Sequence, residues 1–313
     1  MRFLITGAGQ IGSQLTRDLI ATGHEVRVLR RSLAAVAGAT VISGDAGDRV
    51  AVRTAAAGCD AVFHCIHASY SAAAWRRELP QRETAVMDVA AELGIPVVFP
   101  ESVYAFGLGA RDLREDSRIA PVSPLGRVRA DLLSARAAHP ARTASVVASD
   151  LVGPTARPKA SVILATVLGP AAAGHRAWVM GDPDAPHAVT YLPDLTRAMI
   201  EAAPLAATGG TILAAPTGPA RSQRQMMIDA AAAVGHPRAG ISRIPAAAFA
   251  LCAPVSPTTR ELFRQRYLWA APSELRPGRL TTEFGLQPTP WDEVLREWAA
   301  SPTNSAPLPS AAH

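Results

Sequence analysis

Three glycines in G-x-G-x-x-G spacing, Gly7, Gly9 and Gly12, stand directly behind an apolar run, Phe3-Leu4-Ile5. Directly after them Ile11, Leu15, Leu19 and Ile20 recur at helical intervals. An unbroken run of large apolar residues is the pattern of a strand buried on both faces of a parallel sheet. Gly7 allows a tight turn out of that strand, Gly9 lets a pyrophosphate approach the backbone, and Gly12 lets the following helix pack closely on the sheet. The opening N–H groups of that helix, with Gln10 and Ile11 in its first turn, then face the phosphates. A tight turn without a ligand is the alternative. The strand before and the helix after favour a dinucleotide site.

The next decision falls at the end of the second strand. Gly23-His24 turns into Glu25–Leu29, which ends in Arg30-Arg31. A site for NAD carries an acidic residue about twenty residues past the glycines, to hold the ribose 2′-hydroxyl. Here two arginines stand in that place. A guanidinium fork matches a phosphate and a carboxylate would repel one, so NADP is expected over NAD. A solvated pair at a strand end is the alternative.

The alternation continues. A third strand at 40–42 leads through Gly44-Asp45 to a helix at 48–57, and a fourth strand at 61–66 ends His64-Cys65-Ile66-His67. A helix at about 83–93, a strand at 96–99, a helix at 128–137 and a strand at 144–148 follow. This βαβ rhythm predicts an α/β fold, a doubly wound parallel sheet of Rossmann type with a smaller C-terminal substrate-binding region. Past Gly153-Pro154 the rhythm breaks. The expected division is a nucleotide domain over 1–152 and 188–216 and a substrate region over 153–187 and 217–300. Helices are expected at about 222–235 and 258–270. The Pro/Ser/Ala-rich stretch 301–313 predicts a disordered tail.

Composition removes several classes of function. The 313 residues carry a net charge of +5, but the arginines are dispersed, with no basic block or basic–aromatic stripe, which argues against nucleic-acid binding. Net positive charge suits a phosphorylated cofactor. The three cysteines, Cys59, Cys65 and Cys252, lack C-x-x-C spacing and read as core thiols of a reducing compartment. No metal-ligand spacing such as H-x-x-x-H occurs. The chain enters its first strand at once, and the apolar stretch 246–255 is broken by Pro254 and too short to span a bilayer. A cytoplasmic protein, with a small-molecule substrate and no membrane partner, is expected.

In their order these segments resemble the extended short-chain dehydrogenase/reductase family, the NAD-dependent epimerase/dehydratase type. Besides the glycines, the likeness rests on Gly44-Asp45, Gly58-Cys-Asp-Ala-Val-Phe-His64, Phe99-Pro-Glu-Ser102-Val-Tyr104-Ala-Phe-Gly107, Val152-Gly-Pro154 and Tyr191-Leu-Pro-Asp194. It covers about residues 1–300. The glycine loop is one residue shorter than the family's usual T-G-x-x-G-x-x-G, as in an atypical branch. The resemblance implies a homodimer, an adenine contact from Asp45, and Ser102 in the place of the Ser/Thr that hydrogen-bonds the reacting oxygen. The family's catalytic pair is Tyr-x-x-x-Lys, and here the matching segment holds Leu125 at the tyrosine position and Arg129 at the lysine position. Leucine has no proton to give, whereas arginine can still bind ribose hydroxyls and supply positive charge.

Tyr104 is the substitute proton donor expected here. With the strand continued past Ser102, both side chains point the same way, and Arg129 beside the phenol would depress its pKa. A packed aromatic with a bonded hydroxyl is the alternative. His64 and His67 end a strand near where the nicotinamide belongs, with structural histidines as the alternative. Tyr70, Trp75 and His187 are candidates for the cavity wall, and Phe263, Tyr267 and Trp269 for a lid or a core face. Asp150 and Asp194 read as caps or polar anchors. The expected function is NADP(H)-dependent redox chemistry on a carbonyl or alcohol, with Arg129 on the ribose, Ser102 on the substrate oxygen, and Tyr104 or water giving the proton. An epimerase, dehydratase or cyclase without net redox is one rival. A redox-silent NADP-binding regulator is the other.

Overall fold

Leu4 and Ile5 are fully buried at the centre of β1 (Arg2–Thr6), and the fold is laid out from them. In the computed structural model, which describes residues 1–237, 239–245, 247 and 256–300, β1 leads into α1 (Gln10–Ala21). There follow β2 (Glu25–Arg30), β3 (Thr40–Ser43), α2 (Arg49–Ala56), β4 (Ala61–His64), α3 (Ala72–Leu93), β5 (Val97–Ser102), α4 (Pro124–Ala138) and β6 (Thr143–Ala148). Cys252, the tail 301–313 and most of the apolar stretch 246–255 lie outside the described residues.

A seven-stranded sheet runs in the order Thr211–Ala214, β6, β5, β4, β1, β2, β3, every neighbour parallel. The chain winds outward from β1 to β3, crosses back to β4, and winds outward the other way. The expected doubly wound fold is what the chain adopts. Its topological switch lies between β1 and β4, whose paired ends are Thr6 and His64, and ligands of such sheets bind in the crevice beyond that point.

Alternation along β1 divides the core. Phe3 and Ile5 pack with Leu15 and Leu19 of α1 and with Leu195 and Met199 of the helix Leu192–Ala202. Leu4 faces the other way, onto Val52 of α2 and Val86 and Val89 of α3. Each such side chain contributes roughly 1.5–3 kcal/mol when fully buried, so sliding β1 by one residue would exchange the two faces and is strongly disfavoured.

Helix α3 is longer than expected, 22 residues rather than the stretch from about 83. Pro80 sits inside it and reads in sequence as a break, because an interior proline costs about 3 kcal/mol. Packing overrides that cost. Trp75 and Leu79, each 1% exposed, lie on the inner face against Leu125, Val128 and Leu132 of α4. The expected helix at 258–270 is Pro257–Gln265 followed by a 3-10 turn, Arg266–Leu268. Among the described residues no helix is long and apolar enough to cross a membrane.

Candidate functional site

The three glycines meet the three demands placed on them. Gly7 has φ +90°, a turn conformation that favours glycine, and its N–H donates to the Leu29 carbonyl at 2.9 Å, which extends the β1–β2 pairing to the start of the turn. A Cβ on Gly12 would stand 2.0 Å from the Gly7 carbonyl oxygen, so only glycine lets α1 approach. A Cβ on Gly9 would meet nothing within 4 Å, so its backbone faces open space. That space belongs to a cavity of about 420 Å³ at the switch point, which also takes in Gln10, Ile11, His64, Ser102, Tyr104 and Arg129. At the outer end of β2, Arg30 is half-buried with Nη1 donating to the Ala34 carbonyl at 3.3 Å, and Arg31 is exposed. Neither pairs with a carboxylate among the described residues. Asp45 accepts the Gly47 N–H at 2.8 Å and lies 3.7 Å from Arg82 Nε.

His64 sits at the bottom of the crevice, 3% exposed, with Nδ1 2.8 Å from Thr6 Oγ1. Burial first, and the nearby guanidinium groups of Arg136, Arg82 and Arg129 second, push its pKa down to about 3, so the ring is neutral at ordinary pH. Its Nε2 is buried without a hydrogen-bond partner among the described residues. An open glycine and an orphaned ring nitrogen in one crevice fit a dinucleotide: Gly7, Gly9, Gln10 and Ile11 would hold its phosphates, and His64 would face its inner end.

Ser102 closes β5 at the other side of the cavity. The strand stops there and a 3-10 run, Val103–Asp112, begins at once. The expectation that a continued strand aligns Ser102 with Tyr104 is therefore corrected, although both still line the cavity. Tyr104 lies 3.2 Å, oxygen to oxygen, from Tyr70 and stacks parallel to Trp75. The expected lowering of its pKa is corrected too. Burial raises it, the charge of Asp150 adds to the rise, and the hydrogen bond from Tyr70 and the positive charge of Arg129 only partly oppose it. Desolvation of the phenolate is the largest of these influences and outweighs the cation. Arg129 Nε is 3.5 Å from Glu101 Oε1, and its guanidinium lies over the Trp75 ring at 4.8 Å.

Residues 3–213 match the family model described as the NAD dependent epimerase/dehydratase family. The chain belongs to this family. Comparison with curated protein sequences finds no match. Solved structures of the same fold include UDP-glucose 4-epimerase of Thermotoga maritima with UDP-glucose, at TM-score 0.75 and 16% identity, covering 97% of this chain and 99% of that one. A double mutant of the dTDP-glucose 4,6-dehydratase DesIV of Streptomyces venezuelae, with NAD and DAU bound, gives TM-score 0.75 at 19% identity over 96% of each chain. The Bordetella bronchiseptica enzyme WbmH, in complex with NAD+, gives 0.72 at 17% identity, covering 96% of this chain and 97% of that one.

Within this epimerase/dehydratase fold the position expected to hold the family tyrosine is closed. Leu125 is fully buried between Trp75, Leu79 and Val128 and does not line the cavity. In its neighbourhood lies a charged network that sequence reasoning missed. Arg136 reaches Glu83 with two hydrogen bonds of 2.7 Å, Glu101 with one of 2.9 Å and Ser145 with one of 3.0 Å. Glu101 in turn accepts the Ser102 N–H at 2.7 Å. All three charged side chains are at most 5% exposed. The one trace of this in the sequence was Glu101 inside an otherwise apolar strand, since a charge there must find partners. Tyr70, Trp75, His67 and His187 do line the cavity. His187 is bonded through Nε2 to Asp150 at 3.1 Å and stacks on Trp269, which also lines it. Tyr267 packs instead in the cluster with Val103, Phe106 and Leu268. Asp194 anchors Thr289, by its N–H at 2.7 Å and its hydroxyl at 2.8 Å. Among the described residues no group of acidic, histidine and cysteine side chains could hold a metal.

Proposed function

We propose that this chain is an NADP(H)-dependent oxidoreductase of the short-chain type, acting on a carbonyl or alcohol of a small molecule. The observation that carries the reading is one cavity in which the open glycine loop at Gly9 and the hydroxyl groups of Ser102 and Tyr104 meet. Bound nicotinamide would supply or accept the hydride. The rest falls to the chain. Ser102 hydrogen-bonds the substrate oxygen. Tyr104, kept as the neutral phenol by burial, gives its proton to the alkoxide as charge builds, and the hydrogen bond donated by Tyr70 stabilises the phenolate left behind. Arg129 binds ribose hydroxyls, and Arg30 and Arg31 take the 2′-phosphate. The segments 153–187 and 217–300 supply the substrate walls.

NADPH oxidation is followed against a panel of small ketones and aldehydes, with Tyr104→Phe beside the parent. The expected outcome is a turnover number lowered about 10²–10⁴-fold, the usual size of a general-acid contribution, at unchanged NADPH affinity. Parental turnover by Tyr104→Phe would move the proton to water or a histidine. A second reading, an epimerase or dehydratase that recycles its cofactor, is favoured by the burial of Leu125, which removes the usual tyrosine from the site. It predicts that cofactor stays bound through purification, visible in the absorbance spectrum, whereas a reductase exchanges it.

A further inference from the structure

The turn that follows the strand Asp150–Val152 lies against the first turns of α1. Thr155 Oγ1 is 2.9 Å from the Gln10 carbonyl oxygen and 3.2 Å from Gln14 Oε1, and the Arg157 N–H donates to Gln10 Oε1 at 3.1 Å. These contacts hold residues 155–157 beside the glycine loop. Arg157 and Lys159 flank Pro158 there, both exposed and both lining the same cavity as Gly9, Gln10 and Ile11.

Among the described residues neither charge meets a carboxylate. Four Arg/Lys side chains line this cavity, and two of them, Arg129 and Arg136, face Glu101 and Glu83. The glycine loop, for its part, has no cation of its own, since residues 6–16 contain neither Lys nor Arg. A pyrophosphate carries two negative charges, and a helix N-terminus offsets only about half of one. His64 Nε2, buried in the same cavity without a hydrogen-bond partner among the described residues, separately marks a polar group still to be supplied there.

We propose that Arg157 and Lys159, beside the glycine loop, clamp the pyrophosphate of the bound dinucleotide. The proposal rests on the dinucleotide reading above. It assigns the diphosphate to these two residues and leaves the 2′-phosphate to Arg30 and Arg31. Both are exposed side chains, so replacing them leaves the core untouched.

Calorimetric titration separates the two assignments. The probes are NADPH, ADP-ribose, which keeps the pyrophosphate but lacks the 2′-phosphate, and UDP, a diphosphate without the dinucleotide. Arg157→Gln with Lys159→Gln should bind both NADPH and ADP-ribose roughly 10–100-fold more weakly, with a shallower dependence on KCl, an unchanged melting temperature and unchanged UDP binding. Arg30→Ala with Arg31→Ala should weaken NADPH and spare ADP-ribose. Parental affinity for ADP-ribose in the Arg157/Lys159 variant overturns the clamp. So does a loss confined to UDP, which would give these residues to a substrate's diphosphate. A parent protein that binds neither NADPH nor ADP-ribose sinks the dinucleotide reading itself, and the clamp with it.

Discussion

The two ends of the cavity are built by opposite means. At the glycine end the chain's backbone shapes the site: a positive φ at Gly7, a close approach at Gly12 and an open face at Gly9, all within six residues. At the Ser102 end side chains do it. Glu83 from α3, Glu101 from β5, Arg129 and Arg136 from α4 and Ser145 from β6 meet from four elements, up to 62 positions apart in the sequence (145 − 83). The first end is local and tolerates change at its rim. The second is a buried network in which removing one partner strands the others, because a charge out of water needs its counter-charge. The lesson is that a ligand cradle can be written in a short motif, while the polar floor beside it cannot.

The largest effect expected from this contrast is on stability. Arg136→Met leaves Glu83 and Glu101 buried without their main cation and should lower unfolding free energy by about 3–5 kcal/mol in urea denaturation. Replacing Glu83, Glu101 and Arg136 together with apolar residues should recover part of that loss. A single variant as stable as the parent would mean the network is not the floor described here. At the other end Gly9→Val should leave the apo melting temperature in place while weakening NADPH at least 100-fold, because the branched side chain fills the open face. Equal binding would put the phosphates elsewhere.

A smaller effect belongs to the rim. Arg30→Ala with Arg31→Ala should reduce preference for NADPH over NADH by roughly 10–100-fold, one charge-assisted phosphate contact being worth about 1.5–3 kcal/mol. Tighter binding of NADH than NADPH by the parent would end the NADP assignment. Near neutral pH the smallest effect is that at His64, and it grows only as the solution is acidified. Its folded pKa of about 3 lies below the ordinary value near 6.5, so the unfolded chain takes up a proton first. The stability that the neutral ring contributes is complete above pH 6.5 and is lost as pH falls toward 3, at about 1.4 kcal/mol per pH unit. His64→Gln should flatten that acid limb. An unchanged slope would show that the ring is solvated.

The legible parts of this protein are those whose signal fits inside one element or one turn. Phe3-Leu4-Ile5, the three glycines and the helically spaced run from Ile11 to Ile20 specify β1, its turn and α1, and repetition of the pattern specifies a parallel sheet. Where a local rule met a tertiary one, the tertiary rule won. The helix expected from about residue 83 begins at Ala72 and runs through Pro80, since Trp75 and Leu79 pack against α4. Tyr104 looked like a phenol tuned by a cation, because the resemblance put Arg129 beside it. Residue types could not show how deeply the phenol is buried, and burial raises its pKa more than Arg129 lowers it.

By itself, then, the sequence determined the parallel sheet and the glycine turn between β1 and α1, because each depends on residue type at a short, regular spacing. Only the tertiary structure decided that Leu125 is core, that Arg136 bridges two glutamates, that Tyr104 is desolvated and that Arg157 and Lys159 stand beside the glycine loop with no carboxylate partner among the described residues. Burial and charge pairing are sums over neighbours contributed by distant parts of the chain, and a pKa follows that sum rather than the residue.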